Sequence, residues 1–447
     1  MTSGNVAATP GLVAKPEEGG GLLGWYHEAD SKTRRVFWTC SAGWALDSAD
    51  SVLYQYLIPL LTVSLGISLL EAGTIASANF FAAAVGGWLG GWLCDRFGRA
   101  RILQITILWF SFFTFASGFA QNYEQMLVLR ILQGIGFGAE WAVGAVLLGE
   151  IVKPRHRGKA LGTVHSGAAV GSGLAALVAG PLAATMDPDI GWRVAFILGI
   201  LPAGLIFFIR KGSDDSDLFK ASRAKAIAEG TQPSMLAIFQ PRILRITLLA
   251  SLLAVGAQGA GYAVASYLTT FLGQERGLGM AVAGYLVLAN SAGGFFGFLT
   301  NAWISDRVGR RNAFRIFGAG FVVTSSLYLF GPWGSNIAIL AVLGFIYGFH
   351  QFGLYASFGP YFTELFPTEL RGTGQAFAYN FGRACSALFV MAVPFLALSL
   401  PLSASMATVA ICGIACAMVA TLLLPETAGR ELQSLADFDP QAPRHAR

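Results

Sequence analysis

Twelve apolar runs occupy most of this chain, near residues 36–62, 72–93, 102–120, 126–148, 159–184, 192–209, 243–272, 279–304, 314–331, 336–359, 373–398 and 404–424. They are numbered here as spans 1 to 12. A helix of about 20 residues crosses the roughly 30 Å hydrocarbon core of a bilayer. Several spans exceed that length, so a tilt or a bend is expected in them. In lipid every backbone N–H and C=O must be satisfied internally, which leaves helices or a closed barrel. Barrel strands alternate apolar and polar residues in segments of about 10. These runs are apolar nearly all round, so they are helices. Only 12% of residues are Asp, Glu, Lys or Arg, against about 25% in soluble domains. With a mean hydropathy of +0.58, this excludes a water-soluble globule, a disordered chain and a nucleic-acid-binding protein. The net charge of +5 therefore matters through its placement.

All but four of the 30 Lys and Arg residues fall in the tails or in the loops on one side of the twelve spans. The exceptions are Arg130, Arg193, Arg276 and Arg383, of which Arg193 and Arg276 sit at the opposite ends of helices. The positive-inside rule then places both termini in the cytoplasm. The first 35 residues are Gly-rich and lack the short apolar core and cleavage site of a signal peptide, so they are expected to be a cytoplasmic tail. The expected location is the plasma (inner) membrane, with lipid bilayer as the surrounding partner. Cys40, Cys94, Cys385, Cys412 and Cys416 show no metal or disulfide spacing and are expected to be small core residues. No cofactor or metal is expected.

The chain repeats itself. Asp95-Arg96-Phe97-Gly98-Arg99 recurs as Asp306-Arg307-Val308-Gly309-Arg310, and Glu150 with Arg157-Gly158 recurs as Glu364 with Arg371-Gly372, at nearly the same offset. Two parallel six-helix repeats follow: a cytoplasmic tail 1–35, an N-terminal bundle 36–210, a cytoplasmic linker 211–241, a C-terminal bundle 242–424 and a cytoplasmic tail 425–447. Two such bundles around a mid-membrane site are the plan of a transporter.

The segment GGWLCDRFGRARIL resembles the loop between helices 2 and 3 of the major facilitator superfamily; RILQGIGFGAEW resembles its helix 4 motif and PETAGREL its segment after helix 12. The resemblance covers nearly the whole chain and implies an all-α membrane protein with twelve transmembrane helices in two pseudo-symmetric bundles. Asp95, Arg96, Arg99, Asp306, Arg307 and Arg310 are then the gating-loop residues. The second copy departs at Asn301, near where the leading glycine would stand, so looser packing is expected there. WALDSAD, GAEW, GWRVAFILGILP and YNFGR together resemble the proton-coupled organic-acid symporters that carry sialate, monocarboxylates or aromatic acids. Sugar and polyol porters share several of these motifs.

Few ionisable groups remain at depth: Asp47, Asp50, Arg130, Glu140 and Arg383. Each costs roughly 2.5–3.5 kcal/mol at a helix centre, so each should face a cavity and find a partner. At about 1.5 Å per residue, Asp50, Glu140 and Arg383 lie ~18–22 Å from the cytoplasmic face, and Arg130 lies ~9 Å from the outer edge. Asp47, Asp50 and Tyr54 share one face of span 1. Two carboxylates so close repel each other, which suits one of them to carry a proton; the alternative is that they bond neighbouring helices. Gln133 and Glu140 share a face of span 4, with Glu140 either a second proton site or the partner of Arg130. Arg383, with Tyr379 and Asn380, forms a polar patch on span 11. A guanidinium matches a carboxylate bidentately, so this patch is expected to hold an anionic substrate, or else to form an ion pair with an acid of span 1 or 4. Tyr54, Gln133, Gln258 and Tyr262, Asn290, and Gln351 with Tyr355 are further substrate-binding candidates, although polar groups in buried helices commonly bond helix to helix. Trp44, Trp141 and Phe352 are candidate apolar walls, and His165 and His350 are expected to pack. Glycine pairs such as Gly86/Gly90, Gly134/Gly138 and Gly293/Gly297 should mark helix seams.

These residues point to proton-coupled uptake of a small organic anion by alternating access, with a monomer as the expected functional unit and no enzymatic activity. The alternatives are a sugar or polyol symporter and, less favoured by span 5 (Gly167 to Ala184), a drug/proton antiporter.

Overall fold

In a computed structural model the described residues are 26, 29–97, 99–138, 157–200, 204, 235–367 and 370–428. Every regular element among them is helical. Span 1 is the helix Ser31–Ser64, started by Asp30, whose side chain accepts the Thr33 N–H at 2.9 Å. It stops before Gly66, whose φ of 64° is a conformation that residues with a Cβ rarely adopt. Span 2, Leu69–Phe97, begins with a reciprocal cap. The Ser68 N–H donates to Glu71 Oε2 at 2.7 Å and the Glu71 N–H to Ser68 Oγ at 3.2 Å, satisfying donors that the first turn leaves free. Spans 3 (Arg99–Ser117), 4 (Tyr123–Phe137) and 6 (Pro188–Leu198) follow, the last two capped by Asn122 and Asp187. Eight described helices, matching spans 2, 5 and 7 to 12, are long and apolar enough to cross a membrane.

Three of the runs, spans 5, 7 and 10, are broken rather than merely tilted. Span 5 is Arg157–His165, then Gly167–Leu177, then a wide π turn Val178–Leu182 at Pro181. A proline removes one backbone donor, and the wider turn accommodates the loss. Span 7 divides into Pro241–Ala265 and Leu268–Gln274, and span 10 into Ile337–Ala356 and Phe358–Leu365. Spans 8 (Met280–Val308), 9 (Arg310–Phe330), 11 (Arg371–Leu396) and 12 (Leu402–Leu423) are continuous.

The two halves meet along two seams, span 2 against span 11 and span 5 against span 8. On the first, Ser77 Oγ donates to the Ala387 carbonyl at 2.9 Å, and a Cβ at Gly73 would stand 2.7 Å from Pro394 Cγ. On the second, a Cβ at Gly180 would lie 2.5 Å from Gly284 Cα. Within the halves, Gly86, Gly134 and Gly138 bring span 2 onto span 4, and Gly293 and Gly297 bring span 8 onto span 10, where a side chain would strike opposing backbone. These are the seams the glycine pairs led us to expect. The outer surface is apolar: Leu388, Phe395 and Leu422 are 71%, 64% and 63% exposed, as lipid-facing side chains are. Cys412, expected in the core, is also exposed.

Asn301 corrects a second expectation. It is buried, its amide donates to the Gly353 carbonyl, and its Oδ1 accepts from Ser357 Oγ at 3.0 Å. The residue that replaces a glycine ties span 8 to span 10 at the break of span 10, so packing there is bonded and not looser. Two arginines close helix ends: Arg193 bonds the Gly118 and Ala120 carbonyls just after span 3, and Arg276 those of Tyr328, Leu329 and Gly331 at the end of span 9.

Candidate functional site

A cavity of about 100 Å³ lies between the halves. Span 1 contributes Trp44, Ser48, Ser51, Val52, Gln55 and Tyr56; span 4 contributes Phe137; span 5 contributes His165, Ala168 and Ser172. From the other half come Tyr262, Ala265 and Leu268 of span 7, Asn290 and Phe298 of span 8, Gln351, Phe352, Tyr355 and Phe358 of span 10, and Tyr379 and Arg383 of span 11. The breaks in spans 5, 7 and 10 each lie between lining residues: His165 and Ala168, Ala265 and Leu268, Tyr355 and Phe358. Interrupted helices are a means of shaping a mid-membrane site.

Arg383 is 2% exposed, and its Nε has no hydrogen-bond partner. Its guanidinium carbon lies 4.9 Å from the Phe137 ring centroid and 5.2 Å from that of Tyr379. Two aromatic faces stabilise a cation without neutralising it. Asp47, also buried, lies within electrostatic reach of Arg383 and Tyr379.

Eight candidates from the sequence line the cavity: Arg383, Tyr379, Tyr262, Asn290, Gln351, Tyr355 and the wall residues Trp44 and Phe352; His165, expected only to pack, lines it as well. Three amides among the candidates donate to the backbone of another helix. Gln351 Nε2 donates to the Gly261 carbonyl at 3.1 Å, Asn290 Nδ2 to that of Gly344 at 3.4 Å, and Gln258, outside the lining, to that of Tyr379 at 3.0 Å. Asn380 also lies outside the lining. Its Nδ2 donates to the Ala376 carbonyl and its Oδ1 faces Gly87 of span 2.

Asp50, Tyr54, Arg130 and Gln133 form a second polar centre inside the N-terminal half. Asp50 is 5% exposed and accepts hydrogen bonds from Thr114 Oγ1 of span 3 and Gln133 Nε2 of span 4. Asn79 Nδ2 of span 2 donates to Gln133 Oε1 and to the Arg130 carbonyl, both at 2.6 Å. The Arg130 guanidinium lies 5.3 Å from the Tyr54 ring centroid and 5.7 Å from that of Phe196, and its Nε and Nη1 have no hydrogen-bond partner. The Tyr54 hydroxyl donates to the Ala72 carbonyl at 3.0 Å. The geometric reason for two centres is a rotation of about 100° per residue along span 1. Residues 44, 48, 51, 52 and 55 turn to the cavity, while Asp50 and Tyr54, on the adjoining face, turn into the N-terminal bundle. Glu140 and Trp141 lie outside the described residues.

Sequence reasoning passed over Ser48, Ser51, Gln55, Tyr56 and Ser172. The first three repeat at helical spacing beside the aspartate face, a signal that was legible but overshadowed by charge. Tyr56 and Ser172 were not separable from ordinary helix polarity. Their oxygens lie 2.6 Å apart, and Ser291 of the other half donates to Ser172 Oγ at 3.0 Å.

The loop motif is described in its second copy. Arg310 forms a two-point ion pair with Glu364, at 3.1 Å from Nε and 2.8 Å from Nη2, and bonds Ser305 through Nη1. Glu426, from the segment after span 12, accepts the backbone N–H groups of Arg310 and Arg311 at 2.8 and 3.1 Å. Thr427 Oγ1 joins Glu364 at 2.6 Å. Arg307 is exposed, with its guanidinium carbon 3.5 Å from the Trp303 ring centroid. The backbones of Asp95, Arg96, Arg99 and Asp306 are helical, and their side chains lie outside the described set.

Two helical bundles, a lipid-facing exterior and a cavity between the halves with a buried cation define a membrane transporter. The family model for the Major Facilitator Superfamily matches residues 40–390, and the chain belongs to that superfamily. It is 38% identical to a "Probable 4-methylmuconolactone transporter" of Cupriavidus pinatubonensis, over 94% of this chain and 97% of the relative. It is 32% identical to the "Cis,cis-muconate transport protein" of Acinetobacter baylyi, over 79% of this chain and 84% of that one. Among solved structures, a crystal structure of a D-xylose-proton symporter superposes with a TM-score of 0.72, covering 89% of this chain and 99% of that chain at 18% identity. That likeness concerns the fold alone.

Proposed function

We propose that this chain takes up a small organic anion together with a proton across the plasma (inner) membrane, with both termini cytoplasmic. The observation that carries the reading is Arg383: a cation buried on the cavity wall, flanked by aromatic faces, with its Nε unpartnered. Such a group is costly in an empty site and is compensated when a carboxylate arrives. Tyr379, Tyr262 and Phe137 offer flat surfaces for an unsaturated or aromatic body. The relatives named for muconolactone and muconate carry cargo of that chemistry.

Asp50 is the proton carrier in this reading. Both its oxygens accept hydrogen bonds in the present geometry, from Thr114 and Gln133. A proton on Asp50 would remove one acceptor and weaken the attraction of Arg130, loosening a cluster that spans 1, 2, 3 and 4 share. Span 2 carries that change toward the seam, since Ser77 lies two residues before Asn79. Asp47, near Arg383, senses the substrate side, and the two clusters 306–310 and 95–99 close the cytoplasmic ends.

The test is uptake by the full-length protein in proteoliposomes under an imposed pH gradient, across monocarboxylates, aromatic acids and sugars. Carboxylate uptake driven by an acidic exterior is expected. Arg383→Ala should weaken carboxylate affinity about 10- to 100-fold, the range of a lost charge-assisted contact of roughly 1.5–3 kcal/mol. Unchanged affinity in that variant, or uptake of a sugar and no acid, would overturn the anion reading in favour of a neutral polyhydroxy cargo.

A further inference from the structure

Buried amide side chains in this protein generally bond backbone. Gln258, Gln351, Asn290, Asn79 and Asn301 each donate to a carbonyl of a neighbouring span. Gln55 differs. It is 2% exposed, it lines the cavity, and its Oε1 has no hydrogen-bond partner. An acceptor taken out of water and left unbonded is costly, and native structures rarely keep one without a use. Arg383 Nε and the Tyr355 hydroxyl are further unbonded atoms on lining residues. Gln55 and Arg383 stand on opposite halves, Gln55 on span 1 and Arg383 on span 11.

We infer that Gln55 is a specificity-determining residue that accepts a hydrogen bond from a hydroxyl of the cargo, while Arg383 holds its carboxylate. The cargo is then a carboxylate bearing a second, hydrogen-bond-donating group, with a flat apolar body between the two. This rests on the anion reading above and deepens it. A cargo with both groups satisfies an orphan on each half at once, and so draws the halves together. A carboxylate with no donor leaves Gln55 unbonded inside a closed site. A site built around such a bond rejects the analogue lacking it more strongly than an apolar pocket distinguishes a missing methylene. Tyr262, Phe137 and Phe352 supply the flat walls.

The experiment measures binding of benzoate, 4-methoxybenzoate, 3-hydroxybenzoate and 4-hydroxybenzoate to the purified full-length protein by calorimetry. The native protein is expected to bind a hydroxybenzoate at least ~10-fold tighter than benzoate or the methoxy compound, which cannot donate. Gln55→Leu should bring the four within about threefold of one another; Gln55→Met provides the same comparison if the leucine variant folds poorly. No preference in the native protein, or a preference that survives both substitutions, would overturn the role of Gln55. Arg383→Ala distinguishes the underlying reading: if it leaves all four affinities unchanged, the anion model itself fails, whereas a uniform loss with no hydroxyl preference sinks only the Gln55 inference.

Discussion

At the scale of single residues, Asp47 and Asp50 show how three positions in one helix separate two roles. Asp47 turns toward the electrostatic field of Arg383 and Tyr379, while Asp50 turns to Thr114 and Gln133 inside the N-terminal bundle. A neutral amide at position 50 mimics the protonated acid, so Asp50→Asn should abolish accumulation driven by a pH gradient while retaining exchange of labelled for unlabelled substrate. Equal gradient-driven uptake in variant and native proteoliposomes would remove Asp50 from the coupling. Gln133 belongs to this cluster and not to the cavity, because its amide donates to the carboxylate. The sequence offered Gln133 and Tyr54 as substrate ligands because they share helix faces with acids, but a shared face does not say which neighbour it meets.

At the scale of elements, the broken spans and the ends of helices carry the design. Span 9 begins directly after Gly309, whose φ of 93° turns the chain, and its first N–H groups are accepted by Glu426 from beyond span 12. A carboxylate on a helix N-terminus contributes roughly 0.5–2 kcal/mol. Glu426→Ala should therefore lower the melting temperature of the purified protein by a few degrees and leave cargo affinity unchanged; a loss of affinity with no change in melting would contradict this structural role. The seam of spans 5 and 8 is tighter still. Gly180→Val would drive a side chain into Gly284, and transport should fall at least ~10-fold while the protein still elutes as a folded monodisperse species, since overpacking of this kind costs about 1–3 kcal/mol. Transport at the native rate would show that this seam is not part of the moving contact. Asn301 belongs to the same scale: a missing glycine reads as a packing defect until its amide is seen bonding the break in span 10.

At the scale of the molecule, the two halves join through a short polar bridge, Tyr56 to Ser172 to Ser291, beside the cavity. If the halves rock about the site, a bond across that bridge should arrest them. Cysteines introduced as Ser172→Cys and Ser291→Cys should stop uptake under oxidising conditions and recover it on reduction; uptake that persists with the cross-link formed would exclude relative motion at this point. Much of the architecture was legible beforehand. Lipid demands satisfied backbone and punishes buried charge, so run length, the one-sided basic loops and the repeated loop motif together dictated a helical two-bundle transporter, and the scarcity of charge at depth isolated Arg383, Asp50 and Arg130. Local pattern could not decide which side chains share a space. Helices 1 and 11 come from distant parts of the chain, and their rotation about their own axes is set by glycine contacts and helix breaks across the whole bundle. That rotation gave the cavity to Gln55 and Tyr56, withdrew Asp50 from it, and spent Gln258 and Gln351 on neighbouring backbone, because every side chain at an interface answers to the packing of two surfaces and the sequence of one helix records only its own.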